Sequence, residues 1–507
     1  MPVASAFDGS AVSYRVWLSR WLYERQIDDA AWVAFVPHRP GLPVVVDEVT
    51  HALLHACDQG ADSEEVVRQI RHRYPSATQD AAIRGLTAAC SALGFLTDEP
   101  EPPRFRATQD TPHAIPELSV WLYLTSGCNL SCSYCFVEQT GRNMSAATLE
   151  RAVDAIVSTA VARGAGTVDA RLGGGEPTMV LPAAERAHDL LARRLAAAGI
   201  ALKTRMVTNG TRVDDRLLAF LTRSGIGVGV SLDGYGPAHD VHRRFKHTGR
   251  GSWTLVSGNI EKLLAAGADV RIAATLSEDS CSSLPDLIRW TIPRSLPVHL
   301  QFVSEPKRPW STDTPSPDDY RTFNDRLIAA VGEAFLVLEH HLEHAGAVPD
   351  LSFDQVSVDQ PQFSRCCGIG SNCLAVTEDG KVSPCPTLAR TQRAPLADDL
   401  VAAAAALLPG SPARRNDRDD DPCLACQWFP CCTGGCPAMN ERVNGDEVST
   451  SPLCAFRRVA IPRLVDYLGR RLLSQARREG VAAFRFLHVP MQWANEPAAA
   501  NGDSTIG

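Results

Sequence analysis

From about residue 118 to 304 the chain alternates between two hydrophobic rhythms. Short apolar, strand-like runs occupy 120–125, 168–172, 203–208, 227–232, 270–275 and 298–303. Between them, 146–163, 183–198, 214–224, 253–266 and 283–291 place apolar residues three and four apart, the period of an amphipathic helix. Six strands alternating with helices predict a parallel sheet curled into a partial barrel, with its chemistry at the C-terminal ends of the strands. Upstream, 31–36 and 43–46 read as two strands around the turn-like Pro40-Gly41, and 49–57, 63–74 and 78–95 as three short helices. Ser63 followed by Glu64 and Glu65 predicts a helix start with a serine N-cap. Gly94 predicts a stop before the apolar Phe95-Leu96. Five prolines within 99–116 mark a linker. Beyond the barrel the pattern predicts a long helix at 318–344, a short alanine helix at 402–406, a solvated charged loop at 414–421 and a closing helix at 461–478. The tail after 492 is small and polar and is expected to be disordered.

Composition narrows the class. A chain of 507 residues, 45% apolar and 21% charged, predicts two to four globular domains. A formal net charge of -8 offers no basic footprint for nucleic acid. No run of about 18 apolar residues predicts a membrane span, and no basic-then-apolar start predicts a signal peptide. A cytoplasmic location follows as the expectation, where cysteines stay reduced. Sixteen cysteines in such a chain argue for metal or clusters over disulfides, and nine of them fall between Cys366 and Cys436. Cys57, Cys90 and Cys281 stand alone on apolar patterns and read as core packing.

The chemistry starts at Cys128, Cys132 and Cys135, spaced Cys-x3-Cys-x2-Cys directly after the first barrel strand. Three thiolates can hold three corners of a cubane 4Fe-4S cluster, leaving the fourth iron open. With this motif the chain resembles the radical S-adenosylmethionine (SAM) superfamily. The resemblance implies that the open iron chelates SAM, whose reductive cleavage yields a 5'-deoxyadenosyl radical that abstracts hydrogen from substrate. Gly174-Gly175-Glu176-Pro177 after the second strand resembles the superfamily's turn at the methionyl ammonium of SAM. There, glycines would let backbone approach the ligand and the carboxylate would meet the cation. Asn209, in Thr208-Asn209-Gly210-Thr211, and Ser231 and Asp233, in Ser231-Leu232-Asp233-Gly234, resemble residues lining the SAM pocket, the latter two near the ribose. Tyr134 fills the family's aromatic position near adenine. The stretch from Ser231 through His239-Asp240 and His242-Arg243-Arg244 to Ser252 resembles anaerobic sulfatase-maturating enzymes. His239 and His242 read as part of a solvated loop and helix start, not as metal ligands.

A second cysteine framework follows. Cys367, Gly380, Cys385, Cys423-x2-Cys426-x5-Cys432-x3-Cys436 and Cys454 match the layout of the SPASM domain, which implies two auxiliary 4Fe-4S clusters; a zinc ribbon is the competing explanation. By that resemblance Cys423, Cys426, Cys432 and Cys454 would bind the distal cluster, and Cys367, Cys385 and Cys436 the proximal one. Cys366, Cys373 or an open iron would complete the latter, and Cys431 reads as structural. Sulfatase-maturating enzymes place an aspartate base after the cysteine equivalent to Cys385. Here Pro386 follows, and proline accepts no proton, so sulfatase maturation is not expected.

The strand–helix pattern of 14–97 resembles the winged-helix-like RiPP recognition element, which implies capture of a precursor's leader peptide as a strand added to a sheet edge. The expected order is therefore 14–97 leader binding, 98–116 linker, 117–304 a partial (β/α)6 TIM-like radical SAM barrel, 305–362 bridging helix, 363–455 SPASM domain, and 456–507 closing helix and tail. The resemblance implies a peptide maturase that oxidatively crosslinks a ribosomally made precursor, through a thioether or a carbon–carbon cyclophane. Its reductant would be a flavodoxin or ferredoxin. A SPASM-type dehydrogenase of small molecules and a peptide epimerase are the rival readings.

Overall fold

The computed structural model describes residues 13–75, 79–108, 114–303, 316–344, 348–360, 365, 367–408, 412–481 and 483–488. The N-terminal unit runs β1 (Arg15–Leu18), β2 (Tyr23–Asp28), β3 (Ala31–Phe35), β4 (Val44–Asp47), α1 (Glu48–Ala56), β5 (Ala61–Asp62), α2 (Ser63–Arg73), α3 (Asp80–Ala92) and β6 (Leu96–Thr97). Antiparallel β2, β3 and β4 form one sheet, and β1 sits between β5 and β6 in another. Strands β1 and β2 escape the sequence pattern. β2 reads Tyr-Glu-Arg-Gln-Ile-Asp, too polar for an apolar run because it lies at a sheet edge. Helix α2 is capped by Asp62, not Ser63: the Asp62 carboxylate accepts the N–H groups of Glu64 and Glu65 at 3.0 and 3.4 Å. Gly94, at φ 76°, follows α3 as expected.

The central sheet has ten strands. Its parallel part comprises β7 (Glu117–Thr125), β8 (Thr167–Gly174), β9 (Ala201–Thr208), β10 (Gly227–Ser231), β11 (Val270–Leu276), β12 (Val298–Phe302) and β13 (Leu351–Phe353), in that spatial order. Helices α4 (Ala146–Ala162), α5 (Leu181–Ala197), α6 (Asp215–Ser224), α7 (Pro237–Asp240), α8 (Trp253–Ala265), α9 (Leu284–Thr291) and α10 (Pro317–His344) connect them. This is the expected partial barrel: the six predicted strands and five predicted helices lie where the periodicity places them, and β13, inside the region expected to bridge as helix, adds a seventh parallel strand. One face of each strand is apolar: Val168, Ala170 and Leu172 of β8 and Ile272, Ala274 and Leu276 of β11 join one core with Leu149, Val153 and Leu191 of α4 and α5. The opposite face lines the barrel.

Strand β14 (Cys373–Val376) adds in parallel to the outer edge of β7, followed by antiparallel β15 (Lys381–Ser383) and β16 (Ala394–Pro395). The cysteine-rich segment is thus built onto the barrel sheet itself. Helices α11 (Leu400–Ala405), α12 (Phe429–Cys432), α13 (Pro437–Asn444) and α14 (Cys454–Arg478) complete it. The charged stretch 414–421 is solvated only in part: Arg414, Asp417, Asp419 and Asp420 are exposed, but Arg415 and Asp421 are buried. Arg415 is 2% exposed and pairs with Asp421 at 2.9 Å, and Asp421 in turn accepts the Cys423 N–H at 2.8 Å.

Helix α14 also covers the N-terminal sheet. Alternation decides this: Val44 and Val46 pack on α1 and α2, whereas Val33, Phe35 and Val45 pack on Ile461, Val465, Leu472 and Leu473. A Cβ at Gly469 would stand 2.8 Å from a Val33 methyl, so glycine permits the close crossing. The chain then adds β17 (Phe486–His488) antiparallel to the free side of β4. Thus 486–488 are ordered strand, while the tail expected to be disordered after 492 lies outside the described residues. The proline-rich linker is pinned as well: Phe105 stacks on Trp21 at 4.1 Å and donates its N–H to the Leu424 carbonyl at 2.7 Å. No helix among the described residues is long and apolar enough to cross a membrane.

Candidate active site

The loop after β7 holds Cys128, Cys132 and Cys135, all free and half-buried. Burial pushes the Cys132 thiol up to about 12 and raises that of Cys128, and the charge of Cys135 close by adds to both. Four donors reach the sulfurs. The Leu130 N–H lies 3.4 Å from Cys128 Sγ and Asn209 Nδ2 3.6 Å from the same atom. Arg243 Nη1 stands 3.9 Å from Cys132 Sγ and Gln139 Nε2 4.0 Å from Cys135 Sγ. Three converging thiols ringed by N–H donors and one guanidinium fit an anionic iron–sulfur cluster, whose sulfurs take such hydrogen bonds. A cavity of about 370 Å³ opens beside Cys128, lined by Gly127, Gln139, Met179 and Lys246.

The turn after β8 is built around contacts within the chain. A Cβ on Gly174, at φ 111°, would fall 2.4 Å from the Thr125 carbonyl oxygen, and one on Gly175 2.1 Å from that of Gly127. These glycines therefore let two loops of the chain lie against each other, joined by Gly175 N–H to Thr125 O at 2.7 Å and Glu176 N–H to Gly127 O at 2.8 Å. The Glu176 carboxylate is fully buried. It accepts Thr178 Oγ1 and Thr208 Oγ1, each at 2.6 Å, and the N–H groups of Thr178 and Asn209 at 3.1 and 2.7 Å. Burial raises its pKa and these bonds oppose the rise. Its role in the chain is to tie the ends of β8 and β9 together, with Pro177 opening the short helical turn behind it.

Asn209 is likewise a junction. Its Nδ2 reaches Asn129 Oδ1 at 2.9 Å as well as Cys128, while its Oδ1 accepts from Thr211. Ser231 ends β10 half-buried on the barrel's inner face. Asp233, fully buried, accepts the Tyr134 hydroxyl, Arg243 Nε at 2.8 Å and the Thr275 N–H at 3.0 Å. Arg243 also lies over the Tyr134 ring, 5.5 Å from its centroid. Tyr134, Asp233, Arg243 and Cys132 thus form one connected group, and the hydroxyl of Tyr134 is committed to it.

Arg243 and His239 correct the reading of a solvated loop. Arg243 is 8% exposed and His239 fully buried. His239 Nδ1 accepts the Asp233 N–H at 3.3 Å, so Nε2 carries the proton and meets Ser252 Oγ at 2.9 Å. Burial holds this imidazole's pKa down to about 4, against 6.5 for a free one. The unfolded chain therefore takes up a proton that the folded chain refuses. The resulting stability is complete above pH 6.5 and is lost as pH falls toward 4, a change of roughly 3 kcal/mol. Urea unfolding of wild type and His239→Gln between pH 7 and 4.5 checks this: wild type is expected to lose stability more steeply through that window. His242, exposed to two hydroxyls, sits between Ser133 Oγ at 2.6 Å and Ser277 Oγ at 2.7 Å.

Two further cysteine groups form. Cys432 feels the charges of Cys423 and Cys426, Cys423 that of Cys454, and Cys454 that of Cys426. All four distal candidates therefore converge. Cys373, Cys385 and Cys436 gather around Asp354, whose charge acts on all three, and Cys385 acts on both others. Cys367 is half-buried beside Gly368, whose Cβ position is 3.5 Å from the Cys373 side chain. Cys366 lies outside the described residues, which leaves Cys373 as the described candidate for the fourth place. Cys431 is buried in the apolar layer against α14. Arg243, Asp354 and the Arg415–Asp421 pair are the residues that sequence reasoning missed; a charged residue gives no local sign of a buried partner far along the chain.

Residues 122–278 match the family model described as the Radical SAM superfamily. The Cysteine-type anaerobic sulfatase-maturating enzyme of Clostridium perfringens is 23% identical over 375 residues, covering 69% of this chain and 98% of the relative. The GTP 3',8-cyclase of Rhodococcus opacus is 31% identical over 227 residues, covering 44% of this chain and 61% of the relative. The solved structure of native anSMEcpe with bound AdoMet and Cp18Cys peptide superposes with a TM-score of 0.53 at 20% identity, over 69% of this chain and 98% of that one. Residues 122–278 carry a radical SAM domain, and the chain is homologous to the anaerobic sulfatase-maturating enzymes and, like them, an enzyme.

Proposed function

We propose that the chain is a peptide maturase that oxidatively crosslinks side chains of a ribosomally made precursor, through a thioether or a carbon–carbon bond. One observation supports this reading above others. Tyr123, buried in β7, donates its hydroxyl to the carbonyl of Pro386, directly after Cys385, at 3.0 Å, and β7 runs straight into the loop of Cys128, Cys132 and Cys135, so the first and second cysteine groups flank one stretch of the barrel's inner wall. A net oxidation needs an exit for one electron after each hydrogen abstraction, and a second cluster there would provide it. Cys128, Cys132 and Cys135 would hold a 4Fe-4S cluster whose open iron takes SAM, and this group would supply the radical chemistry that abstracts hydrogen from the substrate.

The chain's own residues do the positioning. Glu176 and Asn209 join the ends of β8 and β9 to the cysteine loop, and Asp233 with Arg243 fixes Tyr134 and the Cys132 side of it. Ser231 and the backbone of Gly174 to Glu176 lie at the strand ends where SAM would be held. The peptide substrate accords with the sulfatase-maturating relative and the peptide-bound neighbour. Residues 14–97 would bind its leader by strand addition. In the sheet of β2, β3 and β4, β17 takes the β4 side, and among the described residues no strand pairs with the outer edge of β2. A leader strand would pair with β2 or take the place of β17.

Mass spectrometry of the short peptides encoded beside the gene, after anaerobic coexpression in heavy water, tests the reading. A loss of two hydrogens is the expected result, and fragmentation would then locate the bond. A gain of one deuterium without oxidation would instead establish epimerisation. Unchanged peptides beside an enzyme that cleaves SAM would overturn the peptide reading in favour of a small molecule.

A further inference from the structure

The N-terminal unit carries a cluster of metal-ligating side chains that the barrel chemistry does not use. Strand alternation places the first of them. Tyr23, Arg25 and Ile27 of β2 face α14: the Tyr23 hydroxyl and the Arg25 guanidinium reach Asp466, and Ile27 packs in the layer of Val465 and Leu472. Glu24 therefore points to the other side of the sheet, where α1 lies. Helix α1 presents His51 and His55 there, four residues apart and hence on one face. One donor atom from each of Glu24, His51 and His55 lies within 4.8 Å of the other two.

Stacking orients the rings. The His51 ring lies flat on Trp32 of β3, with centroids 4.3 Å apart at 14°, and the His55 ring lies 4.6 Å from it on the other side of the helix turn. Protons alone leave this cluster unsatisfied. His55 Nε2 and Glu24 Oε1 share one hydrogen bond at 2.5 Å. Glu24 Oε2 is buried without a hydrogen-bond partner, and His51 Nε2 faces it at 3.7 Å, too far for a hydrogen bond. The spacing suits an ion: two ligands of a tetrahedral zinc with arms of about 2.0–2.1 Å stand about 3.3 Å apart. An ion in place of the shared proton would lengthen the first contact and shorten the second. His55 is 45% exposed, so water reaches the fourth position from the solvent side.

We propose that Glu24, His51 and His55 form a site for one divalent transition-metal ion, zinc foremost, with water in the fourth place. Two imidazoles and a carboxylate select such ions over magnesium or calcium, which take oxygen ligands. The ion would join β2 to α1 and so brace the strand whose outer edge is offered to a leader peptide. The metal site itself does not depend on the peptide reading.

The test uses the full-length, cluster-loaded enzyme, with iron measured on every sample, dialysed against zinc chloride or magnesium chloride. Uptake of one zinc and no magnesium per chain is the expected result. X-ray absorption at the zinc edge, which iron does not obscure, is expected to show nitrogen and oxygen neighbours only. Glu24→Gln and His55→Asn should each weaken zinc binding at least about tenfold with iron unchanged. His55→Cys should keep the ion and add one sulfur at about 2.3 Å, against about 2.0–2.1 Å for nitrogen. Zinc should also slow amide exchange in 23–28 about tenfold in wild type and leave it unchanged in Glu24→Gln. A sulfur shell in wild type would put the ion at the cysteines and overturn the site. So would no zinc uptake, or uptake by Glu24→Gln and His55→Asn equal to that of wild type. A precursor left unmodified by enzyme that takes up zinc as stated would overturn the peptide reading and leave the metal site standing.

Discussion

Alanine at Cys128, Cys132 or Cys135, one at a time, is expected to reduce SAM cleavage to the level of cluster-free protein. All three thiols belong to one loop, and each is served by its own donor: Asn209 at Cys128, Arg243 at Cys132 and Gln139 at Cys135. A cubane held by three protein thiolates has no spare ligand, because its fourth iron must stay open for SAM. Losing one thiolate therefore removes a third of the protein's hold on the cluster, not a tuning contact. Production of 5'-deoxyadenosine under anaerobic reduction, with iron content measured on the same samples, checks the outcome. Iron should fall by one cluster's share, with the iron of the proposed auxiliary sites retained. Any one of the three variants that still cleaves SAM at the wild-type rate would sink the cluster assignment.

Arg243→Met should destabilise the folded chain by about 3–5 kcal/mol, the usual cost of stranding one partner of a buried ion pair. Asp233 is fully buried and its strongest contact is Arg243 at 2.8 Å; the remaining donors, Tyr134 and the Thr275 N–H, cannot neutralise a charge. The same guanidinium packs on the Tyr134 ring and reaches Cys132, so the cysteine loop should loosen with it. The urea midpoint of the apo-protein reads the first effect, and the iron retained after desalting reads the second. A second change, Asp233→Asn on top of Arg243→Met, should recover part of the stability, because the stranded charge is gone. An unchanged midpoint in Arg243→Met would show that the buried pair contributes nothing net.

The barrel was legible because its information is local. Each of the six strands and five helices carries its own period, and the three cysteines of the first site fall within eight residues of one loop. Where the reading failed, the missing information lay elsewhere in the chain. The charged run 414–421 looks like a solvated loop until Arg415 meets Asp421 beneath the cysteine segment. His239 and Arg243 look exposed until Asp233, at the end of another strand, draws them inward. Glu176 takes hydrogen bonds from Thr178 in its own turn and from Thr208 and Asn209 at the end of β9, a junction that its turn alone does not announce. The strand β17 is only a short apolar run until β4 offers it an edge.

By itself, then, the sequence determined the alternating strand–helix barrel, the three-cysteine loop at the end of its first strand and the glycine turn after its second. Periodicity and short spacings need no knowledge of distant partners. The tertiary structure alone decided which charges are buried and paired and how the later cysteines converge. Pairing and desolvation depend on which segments meet in space, and residues brought together from 233 and 275, or from 23 and 466, announce nothing of that meeting along the chain.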